Sequence, residues 1–395
     1  PINAQDTADI VTDMIYSIDS LLSNWDVKAY TIESNCNNIP NKNPEYPDSV
    51  YIQRMSLMPT IMEMSYNEIV RKHIDVYTGR MRNQLSFILA ISNFYMPIFE
   101  DVLDAYDLPI ELKYLPIIES ALNPSAVSRK GASGLWQFMI KTGKRYGLES
   151  NSLVDERRDP IKSTWAAVCY LKDLYNIYHD WNLVIAAYNC GPGNVNKAIR
   201  RSGGQTDYWN IYPYLPRETR GYVPAFIAVN YVMNYYNDHN ICPIEVAIPT
   251  DSDTLHINQP LHFEQITDIC DISLEQVRNL NPQYKKDIIP GGKTYTLRLP
   301  YDKMSVFIDK QDTIYTHRIN ELFSNRAVVT ANTTRATTGR NSAVAVNGVI
   351  YHKIKTGESL SAIARKYQVS VNDLKKWNNL GNNNIIAGKQ LKILN

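Results

Sequence analysis

The sequence predicts a mainly α protein, in which one helical domain is followed by two small βααβ modules. Two observations carry this. Between residues 62 and 240 apolar side chains recur at spacings of three and four and almost nothing alternates with period two, which marks amphipathic helices rather than half-buried strands. After Cys242-Pro243 the chain turns to short apolar runs separated by turn residues, and there it repeats itself at a constant offset of 97 residues.

Residues 1–60 are rich in Asn, Asp, Ser and Pro and read as an N-terminal arm, with a helix-like stretch near Ile10 to Leu22 ahead of the polar NNIPNKNPEYPD. The helical domain is placed at 61–242. Its first helix runs from Met62 to Ser92, because Ile69, His73, Val76, Tyr77, Met81, Leu85, Ile88 and Leu89 share one face. A second covers Phe94 to Tyr106. Short helices at Leu135–Tyr146 and Trp181–Tyr188 stop at Gly147 and at Cys190-Gly191-Pro192-Gly193. Between them, Asp159-Pro160 supplies an N-cap and a first-turn proline for a helix that reaches Tyr178. The last helix spans Glu218 to Asn237, with Pro224 expected to end or kink its first turn.

In the repeat, Phe263, Ile266, Val277, Leu280, Asn281 and Gly291 fall opposite Leu360, Ile363, Leu374, Trp377, Asn378 and Gly388 with no gap. Each unit reads as a strand (Tyr351–Ile354), two short helices (Ser359–Tyr367 and Val371–Trp377) and a closing strand (Gln390–Leu394). The modules are placed at 243–300 and 349–395. Residues 301–348 are read as a linker, whose Thr-, Ala- and Asn-rich part from 325 has little to bury and serves as a flexible tether.

A formal net charge of +1 with no dense Lys/Arg tract gives no field for drawing in nucleic acid, so neutral partners such as sugars are expected. No apolar run reaches the roughly 18–20 residues of a membrane span. The start, Pro1-Ile2-Asn3-Ala4-Gln5, lacks the regions of a signal peptide, so an exported protein is expected to have lost that segment already. The five cysteines are scattered, with no CxxC pair and no histidine at ligand spacing, which points to no metal and at most one disulfide.

One carboxylate sits in an unusual setting: Glu119, in Leu115-Pro116-Ile117-Ile118-Glu119-Ser120-Ala121-Leu122. Apolar neighbours cost its charged form solvation, which raises its pKa and lets it hold a proton near neutral pH for a leaving oxygen. Two segments that pair glycines with polar and aromatic residues follow it, Ser128 to Met139 and Ala187 to Val195. Glycines admit close backbone approach, amides bind sugar hydroxyls and aromatic faces stack on pyranose rings.

In their order ES, GxxGLxQxM, AYNxGPG and TRxYV, these segments resemble the lytic transglycosylase and goose-type lysozyme superfamily over roughly residues 60–240. The resemblance implies a lysozyme-like helical domain in which Glu119 is the acid/base. It implies that Ser128, Gln137 and Met139 line the cleft, that Tyr188 and Asn189 orient glutamate and substrate, and that Tyr222 closes the far wall. Trp136 and Cys190 stand where many relatives have Met and Ala, and Trp136 is expected to affect cleft packing.

Residues 351–395 resemble a LysM domain through the TGESL loop and the IIAGKQL turn. That likeness implies a groove for N-acetylglucosamine glycans at Thr356, Gly357, Glu358, Ser359, Leu360 and Ile386. The first unit has Pro260 and Leu261 in place of Gly357 and Glu358 and reads as a degenerate module kept for spacing.

Ordinary glycosidases need two carboxylates about 5–9.5 Å apart, and neither cleft motif after Glu119 contains one. The family's chemistry fits that absence: cleavage of the β-1,4 bond between N-acetylmuramic acid and N-acetylglucosamine in peptidoglycan, with a 1,6-anhydromuramic product, no cofactor and no metal. The expected setting is a monomer in the periplasm or at the outer membrane of a Gram-negative cell, without nucleic acid. Asp155, Glu156 and Asp159 in VDERRDP are read as salt-bridging and capping residues; one of them reaching the cleft would permit lysozyme-type hydrolysis. A non-catalytic wall-binding scaffold is the remaining alternative.

Overall fold

The computed structural model divides into two compact units, Pro1–Ala331 and Asn332–Asn395. It describes residues 42–246, 252–323 and most of 349–394, with short pieces at Asp9, Ile10, Thr12, 31–32 and 345–346. Most of the expected tether at 325–348 and most of the expected N-terminal arm lie outside the described residues.

The arm ends earlier than expected. Residues Asp48–Leu57 form α1, whose Tyr51 and Met55 join the main hydrophobic core. α2 (Glu68–Thr78) starts at Asn67, whose side chain accepts from the amides of Ile69 and Val70. It stops at Gly79, where any Cβ would lie 2.7 Å from the Asp75 carbonyl oxygen. α3 (Arg82–Ala105) then runs unbroken through Pro97. The expected break near residue 93 therefore falls at Gly79 instead, because the backbone there admits only glycine. By length and composition α3 is long and apolar enough to cross a membrane. In the fold it is a core helix, with Leu85, Ile88, Ile91, Phe99 and Leu103 buried.

The other helices follow: α4 (Leu115–Ser120), α5 (Ile140–Arg145), α6 (Pro160–Tyr178), α7 (Trp181–Cys190), α8 (Pro192–Arg201), α9 (Tyr208–Ile211) and α10 (Arg217–Tyr235). α6 is capped as its sequence requires, the Asp159 carboxylate accepting from the amides of Ile161 and Lys162. α10 continues past Pro224 and is buried along most of its length. It packs on α2, α4 and α7. The helix expected over Leu135–Tyr146 shrinks to α5, because residues 128–138 form a hairpin in which Ser133 and Phe138 exchange backbone hydrogen bonds. Thr31–Ile32 (β1) pairs with Glu245–Val246 (β2). Cys242 is disulfide-bonded, whereas Cys169, Cys190 and Cys270 are free thiols.

The first module belongs to the same unit. β3 (Ser252–Ile257) pairs antiparallel with β6 (Tyr295–Pro300), and Leu261–His262 (β4) with Ile288–Ile289 (β5). Phe263–Cys270 (α11) and Leu274–Leu280 (α12) lie between. The residues just beyond are not linker: α13 (Tyr301–Asp309), α14 (Gln311–Thr316) and α15 (Ile319–Leu322) follow, and Met304, Phe307 and Ile314 are buried in the module's core. These apolar positions recur at helical spacing, which the reading of 301–348 as a linker overlooked.

In the second unit β7 (Ala345–Val346), β8 (Val349–Lys353) and β9 (Gln390–Leu394) form a sheet, with α16 (Leu360–Tyr367) and α17 (Val371–Trp377) beside it. The helices of the two modules coincide at the 97-residue offset. One side-chain amide does the same job in both. Asn281 donates to the carbonyls of Val277 and Arg298 and accepts from the Arg298 amide. Asn378 donates to Leu374 and Lys392 and accepts from the Lys392 amide. Each fastens a helix end to the closing strand. Asn281→Ala strands three backbone groups and should cost about 2–3 kcal/mol, read as a lower midpoint of urea unfolding.

Candidate active site

Glu119 is the penultimate residue of α4, and the chain turns sharply behind it. Ala121 and Leu122 take left-handed backbone angles, φ 51° and 61°, and both are fully buried. Such a conformation costs a non-glycine residue on the order of 1–2 kcal/mol and persists only where the surroundings enforce it. Here the Ala121 amide bonds to the Ile117 carbonyl and the Leu122 amide to Pro116. Ser120, also buried, donates its hydroxyl to the Leu135 carbonyl at 2.9 Å and so ties the end of α4 to the 128–138 hairpin.

The Glu119 carboxylate accepts a hydrogen bond from the Tyr222 hydroxyl of α10. Burial raises its pKa from the ordinary value to about 7, and the Tyr222 bond pulls in the opposite direction. No cation and no second carboxylate is among the causes of that shift. Near neutral pH the group therefore exchanges a proton readily in either direction. Tyr222 and Tyr188 are themselves pushed well above the usual phenol range, first by burial and then by the Glu119 charge, so both remain neutral donors.

The partner of Glu119 is thus Tyr222, expected only to close the far wall. Tyr188, expected to orient the glutamate, instead donates to the Trp136 carbonyl at 2.8 Å and packs against Tyr170 and Phe138. Asn189 is exposed, and its side-chain oxygen accepts from Thr219 on α10. Gln137 has a left-handed backbone, φ 47°, and its amide nitrogen is held by the carbonyls of Ala126 and Gly134. Ser128 folds back within the hairpin to accept from the Ala132 amide. Met139 is exposed at the head of α5. Trp136 does not enter a cleft: it is fully buried, its indole nitrogen donating to Thr164 and its ring packed edge-on to Phe99.

The acids of VDERRDP are all engaged. Asp155 pairs with Arg157 through two bonds of 2.8 and 2.7 Å. Burial pushes its carboxyl up, but Arg157, Lys285 and Arg158 together hold it below the usual range. Glu156 accepts from Lys162 and from the Glu149 amide, and Asp159 caps α6.

The sequence held weak signals for two features it did not reveal. Ser120 adjoins the glutamate but reads as an ordinary helix-end serine. Arg157, which the sequence offered only as a salt-bridge partner for the VDERRDP acids, is 5% exposed and bonds the carbonyls of Gly131 and Phe138, which close the hairpin.

Of the residues expected in a LysM groove, Thr356, Gly357 and Ile386 lie outside the described residues. Glu358 bonds the buried His352, whose other ring nitrogen meets the Tyr367 hydroxyl. Ser359 caps α16 by accepting from Ala362, and Leu360 is buried in the module's core. In the first module the places of His352, Glu358 and Tyr367 are held by Leu255, Leu261 and Cys270, so the polar set is replaced as a whole.

Comparison with known proteins places this arrangement in a class. Residues 97–211 match the family model of the transglycosylase SLT domain, 251–316 that of the LysM-like domain of lytic transglycosylase MltD, and 352–394 that of the LysM domain. These three matches, in chain order, bear out the likeness that the ordered motifs carry.

Among individual proteins, it is similar to membrane-bound lytic murein transglycosylase D of Escherichia coli K12, with 30% identity over 297 residues, 73% of this chain and 60% of that protein. It is also similar to the soluble lytic murein transglycosylase of the same organism, with 33% identity over 124 residues, 30% of this chain and 19% of that one. The 70 kDa soluble lytic transglycosylase of Escherichia coli, a solved structure, matches 37% of this chain and 25% of its own at 29% identity and a TM-score of 0.32. The chain spans about 60% of the length of the first of these relatives.

Proposed function

We propose that this chain is a peptidoglycan lytic transglycosylase that cuts the β-1,4 bond between N-acetylmuramic acid and N-acetylglucosamine. The observation that carries the reading is Glu119 itself: a carboxyl with a pKa of about 7, held by a neutral phenol, with the nearby VDERRDP acids committed to other partners.

Protonated Glu119 donates to the glycosidic oxygen as the bond to C1 of the muramyl sugar breaks, and the sugar's acetamido group shares the developing positive charge. The carboxylate left behind removes the proton from the C6 hydroxyl of the same sugar. That oxygen bonds to C1, giving a 1,6-anhydromuramyl end and returning the proton to Glu119. One group thus serves as acid and base in turn, and the intramolecular nucleophile supplies the proximity that a bound water would otherwise need.

Ser128, Gln137, Met139, Tyr188 and Asn189 are assigned to the substrate side of this cleft. Thr356, Gly357, Glu358, Ser359, Leu360 and Ile386 are assigned to glycan contact in the C-terminal module. The domain division follows: an N-terminal arm, a catalytic helical domain, a LysM-like module extended by α13–α15, a tether and a LysM domain. Such a protein works in the periplasm or at the outer membrane of a Gram-negative envelope.

Mass analysis of fragments released from purified peptidoglycan tests the activity. Anhydro ends are expected; reducing ends indicate a hydrolase, and intact glycan indicates a binding scaffold. Because the first step needs the protonated acid, the rate should fall as pH rises through about 7. Tyr222→Phe removes the bond that lowers the pKa, so this alkaline limb should move upward while kcat at pH 6 drops about tenfold, as read from pH–rate profiles of the two proteins.

A further inference from the structure

The MltD-type LysM-like module meets the helical domain along residues 149–155. Leu153 and Val154 leave the helical core and are buried in the core of the module. The Asp155 amide donates to the Gln283 carbonyl at 2.8 Å and the Lys285 amide to Leu153 at 2.6 Å, so a short antiparallel ladder joins the two. Lys285 also reaches the Asn151 carbonyl and lies 3.8 Å from Asp155, and Lys293 pairs with Glu149.

Two residues further on, Arg157 in the 3-10 turn Glu156–Arg158 holds the hairpin beside Glu119. The Asp155 carboxylate fixes the guanidinium of Arg157, leaving its remaining nitrogen to bond Gly131 and Phe138, one at the tip and one at the base of the hairpin. The Arg157 carbonyl packs so closely on Gly134 that a Cβ there would lie 1.7 Å from its oxygen. The hairpin in turn presents the Leu135 carbonyl to Ser120 and the Trp136 carbonyl to Tyr188.

The module is correspondingly built as a brace rather than a groove. Its Pro260 packs on Gly291, where a Cβ would lie 2.6 Å from the proline ring. These two residues match Gly357 and Gly388 of the second module, so the glycine at 291 is shared and the first module sets a proline ring against it at the position where the second has Gly357.

We propose that the LysM-like module is a fixed part of the catalytic unit, and that Asp155 and Arg157 are positioning residues through which it holds the 128–138 hairpin in register with Glu119. The transglycosylase reading supplies the role of that hairpin. The physical coupling stands apart from it.

The test is hydrogen exchange on the full chain and on two variants, Leu153→Ala, which opens the junction from the module's side, and Arg157→Lys, which keeps a cation beside Asp155 but loses the fork to both carbonyls. In both, the amides of Ser133, Gly134 and Phe138 should exchange at least about tenfold faster, with the amides of α10 unchanged. On peptidoglycan fragments KM should rise more than kcat falls, and the pH profile should keep its midpoint. If Leu153→Ala loosens only the β3–β6 pair and leaves the hairpin protected, the coupling is wrong. Hairpin amides that stay protected in folded Arg157→Lys overturn it equally. Exchange decides this whether or not the wild-type chain releases anhydro ends, so a failure of the proposed activity is told apart from a failure of the brace.

Discussion

Glu119→Gln is expected to lower the release of anhydromuramyl fragments by at least about a thousandfold. A positioned general acid or base contributes roughly 10²–10⁴, and in the proposed mechanism one group does both tasks. The same substitution should stabilise the fold at alkaline pH. The folded pKa of about 7 lies above the ordinary 4.5, so between those values the native state holds more protons than the unfolded one and stability falls as pH rises. The full shift corresponds to about 3 kcal/mol, and the partial exposure of Glu119 brings the expected gain of the amide down to about 1–2 kcal/mol. Thermal unfolding should show a higher Tm for the variant at pH 8 and none of that gain at pH 4. A variant that loses activity without this pH-dependent gain points to disrupted structure instead.

Gly134→Ala should have the largest effect on stability of any single methyl added to the cleft. Its φ of 88° strains an L residue, and the new Cβ would sit 1.7 Å from the backbone oxygen of Arg157 and 2.6 Å from its carbonyl carbon. Backbone on both sides leaves nothing flexible to yield, so the hairpin must separate from Arg157. A cost of about 4 kcal/mol or more is expected, together with a loss of activity of about a hundredfold as the Ser120 and Tyr188 contacts shift. Gly131→Ala is the control. Its φ of 84° is similar but its Cβ would meet nothing within 4 Å, so only the backbone strain of about 1–2 kcal/mol remains. Urea unfolding of the two variants against the parent separates the terms, and equal losses would show that the close approach to Arg157 is unimportant.

Much of the fold was legible because its signals are local. The cap and first-turn proline at Asp159-Pro160 placed the start of α6, and the apolar skeleton shared at a 97-residue offset located the helices of both modules. Glu119 was legible too, since its apolar sequence surroundings anticipated the burial that raises its pKa. The misses around the site share one cause, contact between residues distant in the chain, whereas α13–α15 carried a local helical period that the reading passed over. Tyr222 lies 103 residues from the glutamate it holds, and a motif shows that a tyrosine is present without showing what its hydroxyl touches. Trp136 was expected to affect cleft packing because many relatives have Met there, yet its side chain is fully buried and its indole nitrogen bonds Thr164. The VDERRDP acids were read correctly as paired, but pattern alone could not tell an exposed pair from the buried one between Asp155 and Arg157. The left-handed Ala121 and Leu122 carry no local mark at all, since neither residue type favours that conformation and only the packing around α4 imposes it.

The measurement that bears most directly on Glu119 as sole acid and base is digestion of peptidoglycan in water enriched in heavy oxygen, followed by mass analysis of the new muramyl ends. Attack by the sugar's own C6 hydroxyl uses no water, so the wild-type chain should release anhydro ends that carry no label, and Glu119→Gln should release essentially none. Reducing ends bearing one heavy oxygen, or anhydro ends formed undiminished by the variant, would contradict it.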